Sequence, residues 1–305
     1  MKTKVLLLLI VYIGCIQNIL ATNYPITPRP LRKLIEESKY IVIANVIKTV
    51  DVDNEQTWSN SRAVLEIREV LQGKIKTDTI YVYYYPGMIC PAPANYQKGT
   101  TVLAFLDKNK KNEGFSTHAL SYGSKTLEQK GIKLYKSRIQ EMQAIQKIRN
   151  KEEKLTKTLD WLIRCASHQE TRWEGTYELS PESDFMSFYD RDKETFIKKY
   201  ELSDIQKTTL RKVLFSDPEI EYSDLGLVDL VAKPKDTEVA DLLIKSLKNT
   251  EESIWYASFL MVRISHIMER NDLLWITEEV EKSNGYDQKS QEKRKQLIKE
   301  FIERI

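Results

Sequence analysis

The residues best equipped for chemistry gather in the segment RCASHQETRWEGTYEL, Arg164 to Leu179. Cys165 and His168 are three apart, a spacing at which side chains on one helix meet. An imidazole that takes the thiol proton turns such a cysteine into a nucleophile. Three features stand against a hydrolase. No Gly-rich loop precedes Cys165 to receive an oxyanion, and no third residue is placed to orient the imidazole. Catalytic Cys and His also generally come from different elements. No catalytic residue is therefore assigned. His168, Glu170 and Glu174 offer ligands for a shared cation, but Arg164 and Arg172 supply partners for the same carboxylates. His118, His168 and His266 are scattered, and neither HExxH nor CxxC occurs, so no metal or cofactor is expected.

The continuation of this segment holds Trp173, Tyr177, Leu179, Phe185, Phe188 and Tyr189, too many large apolar groups for a solvated linker. An ordered loop folded back on helices is expected, with Trp173 as its anchor and Gly175 taking a positive φ after the preceding helix. Ordered aromatic loops also bind partners, which makes Arg172, Trp173, Glu174 and Tyr177 a candidate interaction surface. A second candidate is YVYYYPGMICPAPANY, where Tyr84, Tyr85 and Tyr96 flank a Pro-rich loop with Met88 and Cys90. Aromatic rings at a barrel mouth stack on sugars or bases or grip a peptide. The same tyrosines also suit a strand that packs a barrel, and that reading is preferred. Cys90 and Cys165 are the two cysteines outside the leader; a single bridge and two buried thiols both remain open. The acidic run SDPEIEYSD, Ser216 to Asp224, lacks the central Gly and terminal Glu of a calcium loop and reads as a solvated connector.

The elements that position these residues fall into three zones. The opening MKTKVLLLLIVYIGCIQNILA has a basic start, a short apolar stretch and a polar break, the layout of a signal peptide over residues 1–21. The alternative is lipidation at Cys15, which would hold the protein at a membrane. Export to the periplasm or beyond is expected in either case. Removing Lys2 and Lys4 leaves 45 basic residues against 44 acidic, a balance that argues against a nucleic-acid partner. Plentiful Lys, Ile, Asn and Tyr with sparse Gly and Ala suggest an AT-rich bacterial genome.

Residues 30–127 read as one short helix from Leu31 and five strands within KYIVIANVIKTV, SRAVLEIREVLQG, DTIYVYYY, TTVLAFLDKN and FSTHALSYG. In AVLEIREVL, apolar and polar residues alternate as on a strand with one wet face. Five such strands suit a closed Greek-key barrel. A helix before a strand, a second strand ending in Val70–Leu71–Gln72–Gly73, a later Cys90, and Gly99 ahead of Val102–Leu103–Ala104–Phe105–Leu106 together resemble the netrin-like, or TIMP-like, OB-fold domains of exported bacterial proteins. The resemblance covers about a third of the chain. It implies the fold and, for the best-known members, metalloproteinase inhibition through an N-terminal Cys on the catalytic zinc. This sequence departs there: its expected mature start is Thr22–Asn23–Tyr24–Pro25, and Cys90 lacks an N-terminal partner.

From Gly131 onward the apolar period becomes helical. A long helix carrying Ile139, Met142, Ile145 and Ile148 is expected to break near Asn150. A second, with Leu155, Leu159, Leu162 and Ile163 on its apolar face, leads to Cys165. Ser203 with Gln206 makes a capping box, and Ser203, Thr237 and Asn271 lie 34 residues apart at helix starts. That period suits helix pairs stacked as an irregular HEAT-like array. The expected molecule is thus α+β: an OB-like five-stranded barrel over 22–130 and an α-helical array over 131–305. A non-catalytic role is expected, with another envelope or extracellular protein as partner; the alternatives are a ligand-binding or protease-inhibitor-like OB module and, more weakly, a Cys-dependent hydrolase.

Overall fold

A computed structural model describes residues 27–52, 60–87, 92–109, 113–180, 188–216, 219–249, 256–283, 285 and 287–305. The leader, Cys15, Met88, Cys90 and Phe185 lie outside the described residues. Within them no helix is long and apolar enough to cross a membrane. The chain divides into two compact units, one reaching Ile139 and the other running from Gln140 to Ile305.

The first unit is a closed barrel. Helix α1 (Leu31–Glu37) precedes strands β1 (Tyr40–Asp51), β2 (Ser61–Gln72), β3 (Thr79–Tyr84), β4 (Thr101–Lys108) and β5 (Phe115–Thr117). Strand β1 pairs antiparallel with both β2 and β4, β2 with β3, and β4 with β5. The parallel pair β3–β5 closes the ring. This is an OB-like order, and it joins strands distant in the chain, so the core forms only when the whole ring is assembled. Val42, Ala44, Val46, Ala63, Leu65, Ile80, Val82, Val102, Ala104 and Leu106 point inward and are buried. Alternate residues of β1 and β4, among them Ile41, Leu103 and Phe105, face the other way and are also buried. The first half of β1, Ile41 to Ala44, and most of β4, Val102 to Leu106, are therefore dry on both faces, which explains their continuous apolar sequences. Bulges in the β1–β2 register at Ile41/Val42, Ile43/Ala44 and Val46/Lys48 supply the extra twist that such long strands need to wrap a small barrel.

FSTHALSYG is not the single strand its composition suggests. It breaks after Thr117, makes a 3-10 turn at Leu120–Gly123, and resumes as β6 (Ser124–Thr126) on the same flank of β4. Ala119 and Leu120 adopt φ of 54° and 56°, a conformation no continuous strand allows. Gln72 Nε2 donates to the carbonyls of Ser38 (2.7 Å) and Ile35 (3.3 Å), tying the end of β2 to the end of α1.

The second unit is helical. Helix α2 (Gln129–Gln146) crosses the division, and α3 (Lys151–Ala166) starts at the expected break, where Asn150 Oδ1 accepts from Glu153 N at 3.0 Å. Then follow α4 (Arg172–Leu179), α5 (Asp204–Leu214), α6 (Leu225–Val231), α7 (Thr237–Asn249), α8 (Ala257–Ile267), α9 (Leu274–Lys282) and α10 (Gln288–Arg304). The buried face of α3 is Thr158, Trp161, Leu162 and Cys165, whereas Leu155 is exposed. A two-residue ladder, Tyr189–Asp190 with Thr195–Phe196, is the one extended pairing described in this unit.

The 34-residue spacing survives in three dimensions as a set of bonds. The capping box is present: Ser203 Oγ accepts from Gln206 N, and Gln206 Oε1 accepts from Ser203 N. Arg263 on α8 grips Asp229 on α6, 34 residues earlier, through two bonds of 2.8 and 2.7 Å. Lys235 pairs with Glu269 at 3.0 Å, and both residues hold left-handed φ of 59° and 55°. Arg270 donates to the carbonyl of Arg304, again 34 residues on, at 2.8 Å. The rings of Tyr222 and Tyr256 stand 6.0 Å apart at the same interval. Equivalent positions of successive helix pairs thus touch one another, which is what stacking of repeats means physically.

Candidate functional site

The segment from Arg164 to Leu179 forms a corner between α3, α4 and α6. It begins as the end of α3, passes through a 3-10 turn at Gln169–Thr171, and continues as α4. Two glycines let the helices approach. A Cβ on Gly175 would lie 2.3 Å from the carbonyl oxygen of Leu162 and 2.5 Å from the nitrogen of Ala166. One on Gly226, at the start of α6, would lie 2.6 Å from Thr176 Cβ. Gly175 is therefore required for close backbone approach inside a helix, not for the positive φ expected of it.

Close approach leaves the polar groups of α4 out of water. Arg172, Glu174, Thr176 and Glu178 are buried, as are Tyr177 and Leu179. Arg172 is satisfied from a distance along the chain: its Nη1 donates to Asp224 Oδ1, and both side chains are 3% exposed. The other Asp224 oxygen accepts from Glu221 N at 2.8 Å. Gln169 Nε2 donates to Glu221 Oε1 at 3.1 Å, and Thr171 Oγ1 to the carbonyl of Cys165 at 2.9 Å. The stretch SDPEIEYSD is thus not simply a solvated connector, since its last residue is the counter-ion that makes a buried arginine tolerable.

Of the four residues singled out here as an interaction surface, Arg172, Glu174 and Tyr177 offer almost no accessible area. Trp173 is half-buried, with its ring 5.2 Å from that of Tyr177, which in turn stands 5.5 Å from Phe188. Cys165 is a thiol with no accessible surface. The His168 side chain is 51% exposed, with Nδ1 4.0 Å from Glu170. The two side chains therefore differ sharply in accessibility, the thiol sealed and the imidazole open to solvent. Among the described residues no group of three or more His, Cys, Asp or Glu side chains is arranged to hold a metal ion.

At the barrel, Tyr96 is buried and its hydroxyl shares a 2.6 Å hydrogen bond with Thr117. Burial pushes its phenol well above the usual range. Tyr84 meets it edge-on at 5.2 Å and is also shifted up, first by burial and then by the charge of Asp51. Tyr96 belongs to the barrel core, and Tyr84 is partly buried against it. Tyr85 is half-buried, and Tyr81, on the outer face, carries the Arg62 guanidinium 4.6 Å over its ring.

Two features escaped the residue-type reading. One is an open cleft of about 460 Å³ beside the corner, lined by Leu179, Lys198, Tyr200, Lys207, Asp229 and Leu230. The other is a group of aromatic side chains at the first repeat junction: Tyr222 lies 6.0 Å from Tyr256 and 5.9 Å from Phe259. Only the 34-residue interval between the two tyrosines announces it in the sequence. Comparison with known protein families found none that matches the chain, and comparison with curated proteins found no relative.

Proposed function

We propose that this protein is an exported, non-catalytic interaction module of the bacterial envelope, in which the helical array holds a partner protein. The observation that carries the reading is the register of the array. Equivalent residues 34 apart are bonded to each other at Asp229–Arg263 and Lys235–Glu269, so successive helix pairs present their side chains on a continuous surface. Such surfaces serve to bind extended partners. The sealed thiol of Cys165 weighs against the hydrolase reading, and the basic, apolar and polar succession of residues 1–21 supports export.

A second reading is a ligand-binding or protease-inhibitor-like module acting through the barrel. The OB-like strand order and the netrin-like resemblance favour it; the absence of a Cys at Thr22 does not. Photo-crosslinking in the exporting cells separates the two. With the crosslinker at Ile205 or Trp275 on the array, a discrete adduct is expected, and with it at Ile47 on the barrel, none. Adducts from Ile47 alone would transfer the role to the barrel. Mass spectrometry of the exported chain distinguishes a Thr22 start from a lipid on Cys15.

A further inference from the structure

We propose that the aromatic group at the first repeat junction is a docking surface for a cationic segment of a partner protein, with a lysine or arginine side chain laid across Tyr222 and Phe259 and its charge directed to Glu219 and Glu221. The proposal rests on the interaction reading and names the chemistry of the partner. Tyr222 is 46% exposed and Phe259 39%, large apolar areas for residues of a folded unit. Tyr222 sits against both other rings, tilted 58° to Tyr256 and 73° to Phe259, so the three make one patch across two helix pairs.

The charges that act on Tyr256 are acidic. The Tyr256 hydroxyl donates to the carbonyl of Ile220 at 2.9 Å, which fixes that ring beside the connector whose neighbouring residues are Glu219 and Glu221. The Tyr256 phenol is held above its usual range, first by burial and then by the charges of Glu221, Asp224 and Glu219. Asp224 is already matched by Arg172. Glu221 receives neutral donors, among them Gln169, and neither it nor Glu219 forms an ion pair among the described residues. Arg263, one turn beyond Phe259, has both outer nitrogens engaged, by Asp229 and by the carbonyl of Phe259. A face that couples exposed aromatic rings to carboxylates without an ion pair among the described residues is complementary to a cation on an apolar stem. The rings attract it through their quadrupoles and the carboxylates through their charge. The same face repels an acidic segment.

The test uses the intact chain and a labelled twelve-residue peptide of alternating Lys and Ala, with a Glu–Ala peptide as comparison, read by fluorescence anisotropy. The Lys–Ala peptide is expected to bind, to weaken as salt rises to about 0.3 M, and to be preferred over the Glu–Ala peptide. Tyr222→Ala should weaken binding about threefold and Glu219→Lys about tenfold. Glu303→Gln, on the last helix, should change nothing. Circular dichroism confirms that each variant folds; Glu219→Lys alters an exposed side chain and provides the test if Tyr222→Ala does not fold. Absence of binding, equal binding of both peptides, or unchanged affinity in folded Glu219→Lys would overturn the proposal. Adducts at Ile205 or Trp275 would still stand in that event, so failure here is distinguishable from failure of the interaction reading.

Discussion

Replacing Gly175 with Ala sets two effects of opposite sign against each other. Alanine is the better helix former by about 1 kcal/mol, which alone would stabilise α4. The new methyl would stand 2.3 Å from the Leu162 carbonyl and 2.5 Å from the Ala166 nitrogen. Both are backbone atoms of another helix and cannot rotate away. Restoring ordinary contact requires α4 to move outward by about 1 Å, which loosens the packing of Tyr177 and stretches the buried Arg172–Asp224 pair. Overpacking of this kind costs about 3 kcal/mol, so a net loss of about 2 kcal/mol is expected. Gly131 in α2 is the control. Its added Cβ would meet only Leu127, at 3.5 and 3.7 Å, so Gly131→Ala should be neutral or stabilising by up to about 1 kcal/mol. Urea titration followed by tryptophan fluorescence is suited to the comparison, because four of the five tryptophans lie beyond Gln140. With a slope of about 2 kcal/mol per molar, Gly175→Ala should lower the midpoint by about 1 M. A Gly175→Ala protein as stable as the parent would refute the close-approach argument.

Asp224→Asn should destabilise the helical unit by about 3 kcal/mol, because it leaves the Arg172 charge buried without its counter-ion; Arg172→Met with Asp224→Leu should recover much of the loss in the same titration. The Asp236 carboxyl is held below its usual range, chiefly by hydrogen bonding to Arg211. A depressed carboxyl stabilises the fold above its unfolded value of about 4 and ceases to do so as pH falls through the folded value. Parent and Asp236→Asn should therefore differ in thermal midpoint near neutrality and converge as pH falls through the folded value. Tyr96→Phe should cost about 1 kcal/mol in the barrel, since Thr117 loses its partner in a buried site, measured by the urea midpoint followed by circular dichroism.

Much of the architecture is legible because it follows from periodicity. The change from alternate apolar residues to a helical period near Gly131 separates a barrel from an array, and Ser203 with Gln206 marks a helix start by local hydrogen bonding alone. What escapes depends on contacts between residues remote in sequence. The connector acidity of SDPEIEYSD looks solvated because its partner, Arg172, lies 52 residues earlier. Gly175 looks like a helix end because sequence does not reveal a second helix lying against it. Ile205, an apolar residue inside the capping box that Ser203 and Gln206 announce, is 80% exposed, because which face of α5 is covered depends on the helices packed against it. FSTHALSYG has strand composition throughout, but two left-handed residues divide it. The same limit holds for chemistry: Cys165 and His168 have suggestive spacing, while burial of one and exposure of the other are tertiary properties.

The claim on which the account turns is that helix pairs 34 residues apart are stacked in register. A double-mutant cycle on Asp229 and Arg263 tests it most directly. Both side chains are 21% exposed and meet through two short bonds, so a coupling of about 1 kcal/mol is expected. The swapped pair, Asp229→Arg with Arg263→Asp, should regain most of what each single change loses. Strictly additive losses would mean that these residues do not face each other, and the array would not be the one described.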